Sequence, residues 1–87
     1  MNLSDVAHVA RASIERDAEF RSLGSLSHGL EKMLVQFYDA DYLDELVCNP
    51  HISCVVTSPN LAELVPPHLG LAVSEDPVAA FYRIHHY

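Results

Sequence analysis

Three short apolar runs and the distances between them constrain this chain more than any other feature. They are Met33-Leu34-Val35-Gln36-Phe37-Tyr38, Ile52-Ser53-Cys54-Val55-Val56-Thr57, and residues 69–73. β-Branched and aromatic residues make up half or more of the first two, no Asp, Glu, Lys or Arg occurs in any of the three, and each run has the length of a strand. Thirteen residues, 39–51, separate the first run from the second, and eleven, 58–68, separate the second from the third. About a dozen connecting residues with a helix inside is what parallel strands need, and far more than an antiparallel hairpin uses. The near-continuous apolar character of residues 52–56 also suits a strand covered on both faces. The expected fold class is therefore α/β: a small, mostly parallel sheet of three to five strands built from consecutive right-handed βαβ units with short helices.

The connections carry helix signals. Asp39 can cap a helix over residues 40–48, with Tyr42, Leu43, Leu46 and Val47 as its apolar stripe, until Asn49-Pro50 stops it. Ser58 precedes Pro59 as cap and first helical residue of a segment over 60–65, which runs into Pro66-Pro67. Asp76-Pro77 repeats that pattern before a last helix with Val78, Phe81, Tyr82 and His85 at helical spacing. At the other end, Ser4-Asp5 starts a helix whose apolar positions Leu3, Val6, Ala7, Ala10 and Ile14 predict an end near Ser13. Residues 15–19 form a charged connection, residues 20–23 suit a short edge strand, and residues 24–29 read as a loop.

A chain of 87 residues with 49% hydrophobic residues, three Gly and five Pro has the composition of one folded domain. Its formal charge is −7, from twelve acidic and five basic residues, and no Lys or Arg occurs between Lys32 and Arg83. A phosphate backbone requires an array of cations, so nucleic-acid binding is not expected, nor is an anionic membrane surface. The opening residues lack the regions of a signal peptide, and no apolar run reaches bilayer length, so the expected location is cytoplasmic.

In an open parallel sheet, ligands meet the carboxyl ends of the strands, where helix N-termini converge. That rule selects Phe37, Tyr38 and Asp39 after the first run, with Tyr42 close behind, then Thr57 and Ser58, and then Ser74 and Glu75. An aromatic pair beside a carboxylate would suit a flat heterocycle. The commoner role for such residues is structural, with Phe37 and Tyr42 as core aromatics and Asp39, Ser58 and Asp76 as helix caps.

Other chemistry is poorly provided for. Neither a dinucleotide-binding glycine motif nor a P-loop occurs, and no G-x-S-x-G elbow surrounds Ser58. Cys48, His51 and Cys54 supply three potential zinc ligands where a structural site needs four, and Cys54 is expected to face the same way as Ile52 and Val56. The cysteines are expected to be reduced, and His85-His86 to be a solvated helix end. No catalytic residue and no metal ligand is assigned.

The run Leu34-Val35-Gln36-Phe37, Tyr42-Leu43, Leu46, Asn49-Pro50, Ile52-Ser53-Cys54-Val55-Val56, Gly70-Leu71-Ala72-Val73, Pro77, Ala80-Phe81 and Ile84, with Leu3-Ser4-Asp5-Val6-Ala7 ahead of it, resembles the N-terminal domain of bacterial UDP-3-O-acyl-glucosamine N-acyltransferases and related sugar-nucleotide acyltransferases. The resemblance implies a domain that helps hold the uridine part of a UDP-sugar, in a pathway of lipopolysaccharide or surface-polysaccharide biosynthesis. It also implies an intact homotrimeric acyl- or acetyltransferase. The catalytic histidine would lie in a hexapeptide-repeat β-helix domain that this sequence lacks, and the acyl donor would be an acyl-carrier-protein thioester or acetyl-CoA. No cofactor would belong to this chain, and the domain alone would be a monomer. The family's stacking aromatics lie in a Phe-x-x-Asn-Pro-x-Tyr pattern. Phe37 and Tyr42 match its ends at a spacing one residue shorter, with Asp39-Ala40 where Asn-Pro stands, and Tyr38 is available for one stacking role. The competing expectation is a non-catalytic interaction or assembly domain that docks on a partner domain.

Overall fold

The computed structural model describes residues 1–24 and 32–86. Helix α1 (Leu3–Ala10) is followed by β1 (Ser13–Arg16), β2 (Ser22–Leu23), β3 (Met33–Phe37), a 3-10 turn at Ala40–Tyr42 with α2 (Leu43–Cys48), β4 (Ile52–Thr57), a 3-10 turn at Ala62–Leu64, β5 (Gly70–Val73) and α3 (Pro77–His85). The five strands form one sheet in the order β1-β5-β4-β3-β2. β2, β3, β4 and β5 run parallel, and β1 closes one edge antiparallel to β5. The chain is thus a small α/β fold with a mixed, mostly parallel sheet and short helices.

Each inner strand divides its side chains between two apolar layers. On one face Leu34, Cys54, Val56 and Ala72 meet Leu3, Val6 and Ala10 of α1 and Ala80 and Ile84 of α3. On the other, Met33, Val35, Phe37, Val55 and Leu71 meet Leu46 of α2 and Val65 and Leu69 of the second crossover. Burial on both faces explains why the strands read as continuous apolar runs. Both crossovers, β3 to β4 and β4 to β5, lie on the second face, whereas α3 leaves β5 for the first.

Several expectations are corrected. α1 ends at Ala10, because Arg11 adopts the left-handed conformation (φ 56°, ψ 47°) and turns the chain into β1. Ile14 then belongs to a strand, with Ile14 opposite Ala72. Within the charged stretch, Arg16 sits on that same edge strand and clamps the second crossover: its Nε donates to the Leu69 carbonyl at 2.9 Å, and Nη2 donates to those of Pro66 at 3.0 Å and Val65 at 3.4 Å.

In β4 the register skips Ser53, so Ile52 and Cys54 face opposite layers rather than the same one. Ser53 instead donates from Oγ to the Glu19 carbonyl at 2.8 Å. The segment after Ser58 makes only a 3-10 turn, too short between Pro59 and Pro66 to gain the cooperativity of an α-helix. Ser58 turns its hydroxyl to Asn60 instead of capping.

The helical stripes hold in part. In α2 Leu46 is buried and Leu43 packs beside it as expected, whereas Val47 is exposed; in α3 Phe81 packs against the layer that buries Ala80 and Ile84, whereas Val78 and Tyr82 are 62% and 64% exposed. The edge strand appears at Ser22–Leu23, and the loop expected at 24–29 lies, from residue 25 on, outside the described residues.

α1 is fixed at its start by Asp17, which accepts from the Ser4 N–H at 3.0 Å and the Ser4 hydroxyl at 2.8 Å. The hydroxyl bond first, then the backbone bond, holds the Asp17 carboxyl below its ordinary 3.8. A carboxyl depressed by folding stabilises the fold above its ordinary pKa, and that contribution disappears as pH falls through the folded value. Asp17→Asn is therefore expected to lower Tm near neutrality and to flatten the loss of Tm between about pH 5 and about pH 2. Thermal melts across that range check it; an unchanged slope would show that Asp17 does not anchor the helix.

Candidate ligand-binding rim

The register sets three strand ends level. Phe37 is paired with Thr57, and Thr57 with Val73, so the exits of β3, β4 and β5 share one edge of the sheet. Two internal bonds tie those exits together. The Thr57 hydroxyl donates to the Phe37 carbonyl at 2.6 Å, and the Ser74 N–H donates to the Thr57 carbonyl at 2.9 Å. Ser74 Oγ in turn accepts from the Asp76 N–H at 3.1 Å, and Asp76 caps α3 by accepting from the Ala79 N–H at 3.1 Å.

Of the residues selected from the sequence, the structure presents some to solvent and encloses others. Phe37 is wholly buried in the layer beneath α2, and Thr57 is wholly buried with its hydroxyl committed. Ser74 is buried and Ser58 half-buried. Tyr38, Asp39 and Tyr42 stand outside. Tyr38 is 56% exposed and Tyr42 37%, with ring centroids 5.3 Å apart and planes tilted by 47°. Asp39 accepts from the Asp41 N–H at 2.9 Å, which fixes the turn that carries Tyr42 back beside Tyr38. The Tyr42 phenol is pushed above its ordinary pKa, chiefly by its hydrogen bond with Tyr38 and then by the charge of that neighbour, by burial, and by Asp39 and Glu45.

The fold also brings to this edge a residue that the sequence did not single out. Ser13 pairs with Val73, so Arg11, two residues earlier, lies just past the end of β5. Arg16 is held by backbone carbonyls, Lys32 and Arg21 by Glu19, and Arg83 by the Ala10 carbonyl at 3.3 Å. Among the described residues, Arg11 is the one Lys or Arg side chain without such a partner. Nothing local in the sequence signals this, since only the antiparallel pairing of β1 places Arg11 there.

Among the described residues, open grooves lie elsewhere, on the face covered by α1 and α3. One, of about 760 Å³, is lined by Met1, Phe20, Leu23, Ile84 and His85 among others, and the second, of about 320 Å³, runs beside Phe81 and Tyr82. Neither includes a rim residue. The rim is the better candidate for a polar ligand because it gathers aromatic, acidic and cationic groups, whereas the grooves are mostly apolar.

Both cysteines are free; Cys48 is exposed, and Cys54 is buried, its thiol pushed up to about 11 mainly by that burial. Among the described residues no three His, Cys, Asp or Glu side chains come together as a metal site. No helix among them is long and apolar enough to cross a membrane. In comparisons with known proteins, no family model matches the sequence, and no curated protein matches it.

Proposed function

We propose that this chain is a nucleotide-sugar recognition domain that positions a UDP-sugar for an acyl- or acetyltransferase whose catalytic groups lie outside it. The observation that carries this reading is the exposed Tyr38–Tyr42 pair, 5.3 Å apart, at the shared exit of three parallel strands. A flat base can stack on such a pair while its sugar extends along the rim. A carboxylate oxygen accepts hydrogen bonds, so Asp39 suits a base N–H or a ribose hydroxyl. Thr57 and Ser74 act indirectly by locking the strand exits, which keeps the ledge rigid and lowers the ordering cost of binding. In the intact enzyme the acyl carbon would pass from the sulfur of an acyl-carrier-protein thioester or acetyl-CoA to the sugar nitrogen. A histidine of the trimeric β-helix domain would take the proton.

Titration with UMP and a UDP-sugar, followed by amide chemical shifts, tests the reading. Shifts are expected to cluster at residues 38–42, and Tyr38→Ala is expected to weaken binding about tenfold, the equivalent of one good aromatic contact, while leaving Tm nearly unchanged. No shifts at those residues would sink it.

A second reading, an assembly domain docking on a partner domain, is favoured by one observation: Val78 and Tyr82 expose large apolar surface side by side on α3. Loss of association with a partner domain on Tyr82→Ser, without loss of nucleotide binding, would favour that reading.

A further inference from the structure

The rim has two chemically different ends. β3, which carries the tyrosines, and β1, which follows Arg11, are separated in the sheet by β4 and β5. That is three strand spacings, or about 14 Å. At the β1 end an otherwise acidic chain carries two arginines close to the end of α1. Arg83 donates to the Ala10 carbonyl at the end of α1, and Arg11, the next residue, is exposed and unpaired among the described residues. The acidic neighbours here are Glu75, which is exposed, and Asp76, whose carboxylate is engaged by the Ala79 N–H. An arginine at a helix C-terminus also complements the helix dipole, a purely structural role that would affect stability rather than ligand choice.

We infer that Arg11 is the anion contact of the rim, taking the phosphate end of a ligand whose base lies on Tyr38 and Tyr42. The inference rests on the nucleotide reading for the base, but not for the anion. A guanidinium forks onto two phosphate oxygens, and an arginine side chain is long enough to span part of such a distance, so an extended nucleoside diphosphate can reach both ends where a nucleoside does not. Arg11 therefore sets the preference for diphosphate over the uncharged nucleoside.

Three probes are titrated separately at low salt and followed by amide shifts: uridine, inorganic pyrophosphate and UDP. Uridine is expected to perturb residues 38–42, pyrophosphate residues 12–13 and 74–75, and UDP both, with UDP bound roughly tenfold more tightly than uridine. Arg11→Ala is expected to erase the pyrophosphate shifts and the tenfold advantage while uridine binding stays as it was; Arg11→Lys should keep part of both. Arg11→Gly, which suits the left-handed backbone, gives a second folded variant with the same loss. An Arg11→Ala protein that still prefers UDP, or a wild type in which pyrophosphate perturbs nothing near Ser13, overturns the inference. Pyrophosphate shifts without uridine shifts would leave Arg11 as an anion site and remove the nucleotide reading instead.

Discussion

Phe37→Ala is expected to destabilise the fold by about 3–5 kcal/mol, the usual range for removing a fully enclosed phenyl ring. The ring has no exposed surface and is the largest of the completely buried side chains among the described residues. It lies in the layer formed with Met33, Val35, Leu46, Val55 and Leu71. Truncation leaves a cavity beneath α2 that the sheet cannot close, because the Phe37 backbone is pinned by the Thr57 hydroxyl and by pairing with β4. Domains of this size have a total stability of about 5–15 kcal/mol, so the loss takes a large share, and Tm should fall by on the order of 15–30 °C. Urea denaturation with an unchanged m-value is the measurement. A loss below about 1 kcal/mol would mean that the ring is not part of the core, and would return Phe37 to the list of ligand contacts. Tyr38, not Phe37, is accordingly the position at which binding is probed.

The second large effect is expected at Gly70. A Cβ there would stand 2.7 Å from the Ala18 Cβ, 3.0 Å from the Cys54 Sγ and 3.1 Å from the Leu3 Cδ1. Cys54 and Leu3 can yield slightly by rotation, but the Ala18 Cβ is carried by the backbone and has no rotamer to change. Moving it disturbs the bond in which the Ala18 carbonyl accepts from the Leu3 N–H at 3.0 Å, and with it the seating of α1. Gly70→Ala should therefore cost about 1–3 kcal/mol, and Gly70→Val more, because its added methyls enter the same filled space. The diagnostic is the double variant. Ala18→Gly with Gly70→Ala is expected to recover most of the loss beyond its own glycine penalty, a non-additivity of about 1 kcal/mol or more. Simple addition of the two single effects in thermal or urea melts would refute close approach as the reason for glycine here.

The central sheet was legible because spacing and composition agree. The crossovers at 39–51 and 58–68 are long enough to return the chain to the start of a parallel strand, and β3, β4 and β5 follow within one residue of the runs that suggested them. Asp76-Pro77 marked the start of α3 because a carboxylate cap and an N–H-free first residue are local chemistry. Phe37 and Tyr38 could not be told apart from sequence, since a strand buried on both faces gives no alternation to set its phase; the exit of β3 separates a core ring from a surface one.

Elsewhere local signals were insufficient. Ser13-Ile14-Glu15-Arg16 becomes a strand because β5 offers a free edge and because Arg16 finds carbonyls some fifty residues away, between Val65 and Leu69. The helical stripes of α2 and α3 show a period, but which residues point inward depends on where each helix meets the sheet. The sequence by itself determined the parallel strands and hence a common edge for their exits, because chain length and residue type act locally. Tertiary structure alone decided what stands on that edge, because the left-handed turn at Arg11 and the antiparallel return of β1 are stabilised by contacts made only after the sheet has formed.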